Sequence, residues 1–307
     1  MGEIKLGVGV PRGAQTGSID DRRAALSALA DAGVDHVAPA DHVSFFVGAG
    51  FDGLIQAAQL SSLHDTLQVC VAVYLLPLRH PTLVARQIQS ITQAAPGRLV
   101  LGVGVGGEDP HESEVCGVDP RTRGRRANES LEILRGLMTG EPVSYRGEFF
   151  ELDGAVIAPP VSPPVPIVVG GRSTAAVRRA ARLGDGYVGV WISPGRFRSI
   201  LGQIGEESAA AGRGDVAWEH SMYVWCGVGD SRERARDYVS RAMQGIYRIG
   251  FENFERYTPY GGPAEIAEFL APYVEAGCRR FHLSAAGPGD AEIAAAAGEV
   301  KRLLNSA

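Results

Sequence analysis

Short apolar runs rich in Val, Ile and Leu alternate along this chain with amphipathic stretches, and that alternation constrains the fold more than any other feature. "IKLGVGV" (4–10) precedes a helical pattern over 20–33, with Asp20 placed to cap the helix and Gly33 to stop it. "VDHVAPA" (34–40) precedes a helix near 51–64, and "LQVCVAVYLL" (67–76) precedes "HPTLVARQIQSITQA", where Pro81 suits a first helical turn. "RLVLGVGVG" (98–106) is followed, after a polar loop, by a helix over 121–139. The second half repeats the scheme: "PIVVGG" with a helix to Leu183, "GYVGVW" with a helix over 194–211, and "EHSMYVWCGVG" with helices from Asp230 to about Arg248 and from Pro263 to Ala276. "RRFHLSAAG" and a helix through 290–304 close the chain. Unbroken apolar runs mark strands buried on both faces, and eight of them interleaved with helices predict a closed (β/α)8 TIM barrel of the α/β class.

At 307 residues and 45% hydrophobic content, one barrel domain spanning 1–307 accounts for the length. Insertions are expected at about 105–120, 141–166 and 245–262. The stretch 141–166 carries a hairpin pattern turning at Arg146-Gly147 and then a proline-rich run. The stretch 245–262 is dense in aromatics and reads either as a loop folded on its own side chains or as a lid or oligomer contact.

A formal charge of -5 and a pI near 5.8 provide no basic face for a nucleic-acid backbone. The four cysteines, Cys70, Cys116, Cys226 and Cys278, are scattered, which argues against a disulfide framework and for a reduced, cytoplasmic setting. No basic region followed by an apolar stretch opens the chain and no run is long enough for a membrane span, so neither a signal peptide nor a membrane is expected. No HxxxH, HxH or clustered Cys/His set suggests a metal, and no GxSxG elbow appears.

In such barrels the site lies at the C-terminal ends of the strands. Asp41, His42 and Phe46 follow the second run, Glu108, Asp109 and His111 the fourth, Gly170, Gly171, Arg172 and Ser173 the fifth, and Trp191 the sixth. Gly170 and Gly171 allow close backbone approach, and the amides of Arg172, Ser173 and Thr174 at a helix N-terminus favour an anion such as phosphate. The competing reading is a tight turn with Ser173 as N-cap. "GVGVGGEDP" (102–110) is no dinucleotide fingerprint, because Pro110 and Glu108-Asp109 are hostile to a pyrophosphate. Gly104, Gly106 and Gly107 fit a flat ring better, with Glu108 at its edge as acid, base or acceptor; a solvated acidic loop is the alternative. His42, directly after an aspartate, reads either as an oriented imidazole at the mouth or as a structural histidine.

Taken together, "ADHVSFF", "LLPLRHPTLVARQ", "GRLVLGVGVGG", "RANESLEILRGLMTGEPVSYRGEFFEL" and "PIVVGGRSTAAVRRAARLGDGYV" resemble the bacterial luciferase-like superfamily, and in particular its deazaflavin (coenzyme F-420)-dependent oxidoreductases. The resemblance covers nearly the whole chain. It implies a phosphate-bearing deazaflavin, or alternatively FMN, lying across the strand ends, with its phosphate at Gly170–Ser173 and Asp41, Gly104, Gly106 and Gly107 around the ring. It also implies a non-proline cis peptide between Ala72 and Val73, bulging against the ring. His42 matches the family histidine beside the ring, Phe46 falls at an aromatic position four residues on, and Glu108 falls close to a catalytic glutamate, offset by one residue at Gly107. The lysine that a sugar-phosphate enzyme of the family carries after strand six has no counterpart near Trp191, Ile192 and Ser193. The expected activity is hydride transfer between the deazaflavin and a small or medium organic molecule, with His42 or Glu108 exchanging the proton and Phe46 and Trp191 lining the pocket. The competing expectations are a reduced-FMN monooxygenase using oxygen and a non-catalytic flavin-binding protein. Relatives often pair through helices beside the second and third strands, so a homodimer is expected. The loops 43–50, 105–120 and 245–262 would choose the substrate.

Overall fold

Each of the eight apolar runs is a strand in the computed structural model, which describes residues 2–46, 48 and 50–306. The first half supplies β1 (Lys5–Gly9), β2 (His36–Ala38), β3 (Gln68–Leu75) and β4 (Leu99–Gly104). A hairpin of β5 (Val143–Arg146) and β6 (Glu151–Ala155) follows, paired antiparallel as the turn at Arg146-Gly147 requires. The second half supplies β7 (Ile167–Gly170), β8 (Gly186–Val190), β9 (Ser221–Val228), the two-residue β10 (Tyr260–Gly261) beside β9, and β11 (Arg280–Ala286). The barrel runs in the order β1-β2-β3-β4-β7-β8-β9-β11, every pair parallel, and Lys5↔Arg280 on β1–β11 closes it.

The helices are α1 (Arg12–Thr16), α2 (Ile19–Asp31), α3 (Gly53–Leu63), α4 (Pro81–Ala94), α5 (Pro110–Glu114), α6 (Arg123–Leu137), α7 (Thr174–Leu183), α8 (Pro194–Ala210), α9 (Arg232–Tyr247), α10 (Pro263–Glu275) and α11 (Asp290–Ser306). The cap of α2 is Ser18 and not Asp20: the Ser18 hydroxyl accepts from the Asp21 amide while the Asp21 carboxylate accepts from the Ser18 amide, a reciprocal pair that a serine three residues before an acid provides. The outward side chains of the strands, among them Leu6, Val37, Val69, Leu101 and Ile167, are buried against helix residues such as Leu29, Leu54, Ile88, Leu134 and Val177. Burial is worth about 1.5–3 kcal/mol for each such side chain, so this shell carries the fold. Among the described residues no helix is long and apolar enough to cross a membrane.

The lower lumen is polar. The His36 and His282 rings are joined Nε2 to Nδ1 at 2.8 Å, and Arg280 lies 3.2 Å from His36 Nδ1, 3.1 Å from Gln68 Oε1 and 3.4 Å from the Cys70 sulfur, with its Nε on Glu219. Although His36, Cys70 and His282 bring three ligand atoms within 4.8 Å, the Arg280 guanidinium already occupies the position a cation would take. Burial pushes His36 well below its ordinary value and His282 down to about 3, so both stay neutral in the fold. The unfolded chain takes up protons on these rings below pH 6.5 and the folded chain does not. Stability therefore falls as pH drops through 6.5, by about 1.4 kcal/mol per pH unit for each histidine. Urea unfolding at pH 7 and pH 5 checks this: a clearly lower midpoint at pH 5 is expected, and equal midpoints contradict neutral burial of the pair.

Candidate functional site

Asp41 and His42 leave β2 side by side but turn to different partners. Asp41 is buried, and its carboxylate accepts from the Gly53 amide (2.9 Å), the Leu75 amide (2.8 Å) and both terminal nitrogens of Arg79 (2.6 and 2.8 Å). Four donors fill the roughly four lone-pair positions of a carboxylate. Asp41 therefore has no acceptor left for a cofactor or for His42, contrary to both sequence expectations: it ties the end of β2 to the end of β3 and the start of α3. Burial pushes its carboxyl above the usual range even against the Arg79 charge and the two amides.

The carboxylate that orients His42 is Glu112 on α5. Both its oxygens lie 3.3 Å from His42 Nδ1, and one accepts from the Val43 amide at 2.7 Å. Burial pushes the Glu112 carboxyl up, but the hydrogen bonds from His42 and Val43 outweigh it and hold the group below its ordinary value. An ionised carboxylate accepts only, so His42 Nδ1 carries a proton and Nε2 is the atom left to exchange one. The ring is stacked on Phe45 at 4.0 Å between centroids, and its amide donates to the Phe51 carbonyl.

The peptide between Ala72 and Val73 is cis, and β3–β4 pairing shifts register between Val71 and Tyr74. Val73 packs in the lumen against the cluster of Cys70, Val100, Val168 and Val188. Gly104 serves this bulge and does not make room for a ring: a Cβ there would stand 2.4 Å from Val73 Cγ2. Gly170 borders the same side chain, its Cβ position 3.3 Å from Val73 Cγ1.

Beyond the glycines lies a cradle. Gly106 and Gly107 have φ of +68° and +142°, and the Arg123 guanidinium sits 3.6–3.9 Å from where their Cβ atoms would be. Arg123 Nε donates to the Pro120 carbonyl, whereas its buried NH1 has no partner. On the neighbouring strand Gly171 has φ of +133°, and Ser173 caps α7 by accepting from the Ala176 amide. That cap satisfies one of the first-turn donors of α7 and leaves the turn's remaining amides without an intrahelical partner. This donor set fits the phosphate of a flavin or deazaflavin. Arg172 and Ser173 are exposed at its edge.

Glu108 is exposed, with its charge felt at the Tyr247 phenol, whose acidity is suppressed mainly by burial. Among the described residues no hydrogen bond joins Glu108 to His42; the carboxylate on that ring is Glu112. The neighbouring Asp109 caps α5 and accepts from the Phe46 amide at 2.8 Å. Phe46 and Trp191 both have positive φ, 35° and 49°, which bulky residues adopt only where their surroundings enforce it. Phe46 packs on Phe45, and Trp191 packs on Tyr247 and Phe254. Of the loop 43–50, residues 47 and 49 lie outside those described.

At the mouth a cavity of about 660 Å³ is bounded by His42, Phe45, Tyr223, Trp225, Tyr247 and Ser284. A larger one, about 880 Å³, opens at the opposite end of the barrel, but its Lys5, Glu219 and Arg280 are paired with one another. The mouth cavity, bordered by the oriented His42, is the better equipped for ligand chemistry.

Glu112, Arg79, Arg123 and Tyr247 were not singled out from the sequence. Glu112 sits four residues past Glu108 in the run "EDPHE", and Arg79 in "LRHP", so the residues stood in recognised segments while their partners did not.

These features define a parallel (β/α)8 barrel with an oriented histidine at the C-terminal ends of its strands. The chain belongs to the luciferase-like monooxygenase family, whose model matches residues 4–276. It is 34% identical over 176 residues to an uncharacterised protein of Mycobacterium tuberculosis, covering 57% of this chain and 60% of that relative. It is 28% identical over 247 residues to an F-420-dependent glucose-6-phosphate dehydrogenase of Nakamurella multipartita, covering 72% of each. Among solved structures, an F-420-dependent secondary alcohol dehydrogenase in complex with an F-420-acetone adduct superposes with a TM-score of 0.82 at 18% identity, over 97% of this chain and 99% of that one, which shows the shared fold.

Proposed function

We propose that the protein is an oxidoreductase that binds the deazaflavin coenzyme F-420 and moves a hydride between it and a small or medium organic molecule. The observation that carries this reading is the His42–Glu112 pair, which holds an imidazole oriented at the barrel mouth. Arg123, Gly106, Gly107, Gly171 and the first turn of α7 would hold the phosphate, and Ala72 and Val73 would back the ring. The bound coenzyme would supply the hydride-carrying carbon.

The chain's own residues do the rest. Glu112 keeps His42 Nδ1 protonated, and Nε2 gives a proton to the substrate oxygen in reduction or takes it in oxidation. Phe45 and Tyr247 shield that exchange from water. The relatives named for F-420 support this reading over FMN and oxygen chemistry, which the family's description keeps as the second reading. Competition between coenzyme F-420 and FMN for the purified protein tests it: the deazaflavin is expected to bind ahead of FMN.

A further inference from the structure

We propose that Gln56 selects the molecule bound in the mouth cavity, and that its carboxamide takes a neutral amide edge, an N–H beside a C=O, of the kind a lactam presents. The proposal rests on the hydride-transfer reading, whose substrate would occupy the same cavity, and adds the residue that chooses it.

Gln56 stands where an apolar side chain belongs. The inward face of α3 buries Gly53, Leu54, Ala57 and Leu60, and Gln56 lies in that stripe, one turn after Gly53 and one turn before Leu60. It is 7% exposed and borders the mouth cavity together with His42. A glutamine on a buried helical face is ordinarily held by a hydrogen bond, as the Gln89 oxygen on α4 is by Arg86 at 3.0 Å. Among the described residues nothing is bonded to the Gln56 carboxamide; its backbone amide donates to the Asp52 carbonyl within the helix. The partnerless Ser61 and Ser130 hydroxyls are sealed in the packing, whereas the Gln56 carboxamide keeps surface on the cavity. A buried polar group without partners costs free energy that a matching ligand recovers.

The element that carries Gln56 is fixed to the one that carries His42. Asp41 accepts from the Gly53 amide at 2.9 Å, and Arg79 links Asp41 to Asp52, the N-cap of α3. The first turn of α3 is therefore tied to the end of β2, where His42 follows Asp41. A ligand anchored on Gln56 is held in a fixed relation to the oriented imidazole.

The chemistry of the ligand follows from what a carboxamide offers: one acceptor oxygen and two N–H donors in one plane. A ketone or a carboxylate answers the donors and leaves the oxygen unmatched, whereas an amide with its N–H and C=O on the same side answers both. The remaining boundary suits a neutral molecule. Val8, Leu29 and Ala38 are buried apolar residues there, Asp290 already accepts from the Arg12 and Gly13 amides, and Arg12 is exposed.

Equilibrium dialysis of the full chain against 2-quinolone and N-methyl-2-quinolone, which differ at the lactam N–H, tests the assignment. Saturable binding of 2-quinolone is expected, with the N-methyl compound about tenfold weaker or worse, because methylation removes the donor and sets bulk against the Gln56 oxygen. Gln56→Met, close in volume and helix propensity, is expected to bring the two affinities within about threefold of each other. Gln56→Glu, which loses both donors, is expected to weaken 2-quinolone about five- to tenfold. Equal binding of the two quinolones by the parent, binding of neither, or an undiminished preference in Gln56→Met overturns the assignment; the parent comparison needs no substitution and holds whatever the variants do to folding. Coenzyme F-420 is titrated separately: its failure to bind the parent overturns the hydride-transfer reading, while the quinolone comparison still judges Gln56.

Discussion

Replacing Arg79 with alanine is expected to destabilise the fold by about 3–5 kcal/mol, because it strands the buried Asp41 carboxylate without its charge partner. Arg79 lies 4.5 Å over the Tyr74 ring and also reaches Asp52, the N-cap of α3, so one guanidinium fixes three segments around the mouth. Lysine cannot reproduce this fork, and Arg79→Lys is expected to recover only part of the loss. The double change Asp41→Asn with Arg79→Met removes both charges and is expected to be milder than Arg79→Ala alone. Urea unfolding of the four proteins reads this directly. A cost under about 1 kcal/mol for Arg79→Ala would show that the pair does not organise the site.

His42→Ala is expected to lower turnover by roughly 10²–10⁴-fold, the usual contribution of one positioned acid or base, while coenzyme affinity changes little. In the proposed reaction the ring serves the proton path, and Arg123 and Gly171 serve the phosphate. Glu112→Gln keeps a hydrogen-bonding group beside Nδ1 but removes the charge that fixes the tautomer. It is expected to lose less and to move the pH dependence of kcat/KM. Comparing turnover and coenzyme Kd in the two variants separates these roles. Unchanged turnover in His42→Ala would remove His42 from the chemistry.

The barrel was legible because its signal is local: eight apolar runs of strand length, each followed by a helical period, survive without knowledge of their neighbours. The position of His42 in the loop after β2 was legible for the same reason. What the sequence concealed are pairings across the barrel. Asp41 meets Arg79, 38 residues on, and His42 meets Glu112, 70 residues on, through register and loop paths that no local pattern encodes. Gly104 misled in an instructive way. A glycine at a strand end reads as space for a ligand, and here that space is filled by the chain's own Val73. Glu112 was not legible because its partners, the Val43 amide and the His42 ring, lie far from it in sequence.

The central claim is that the cradle and the oriented histidine serve a deazaflavin. Fluorescence titration of the purified protein with coenzyme F-420 and, separately, with FMN tests it most directly. The account predicts saturable binding of the deazaflavin at micromolar concentration or below, with FMN at least tenfold weaker. Preference for FMN would contradict it in favour of oxygen chemistry, and binding of neither would return Gly170, Gly171 and Ser173 to an ordinary strand-to-helix turn.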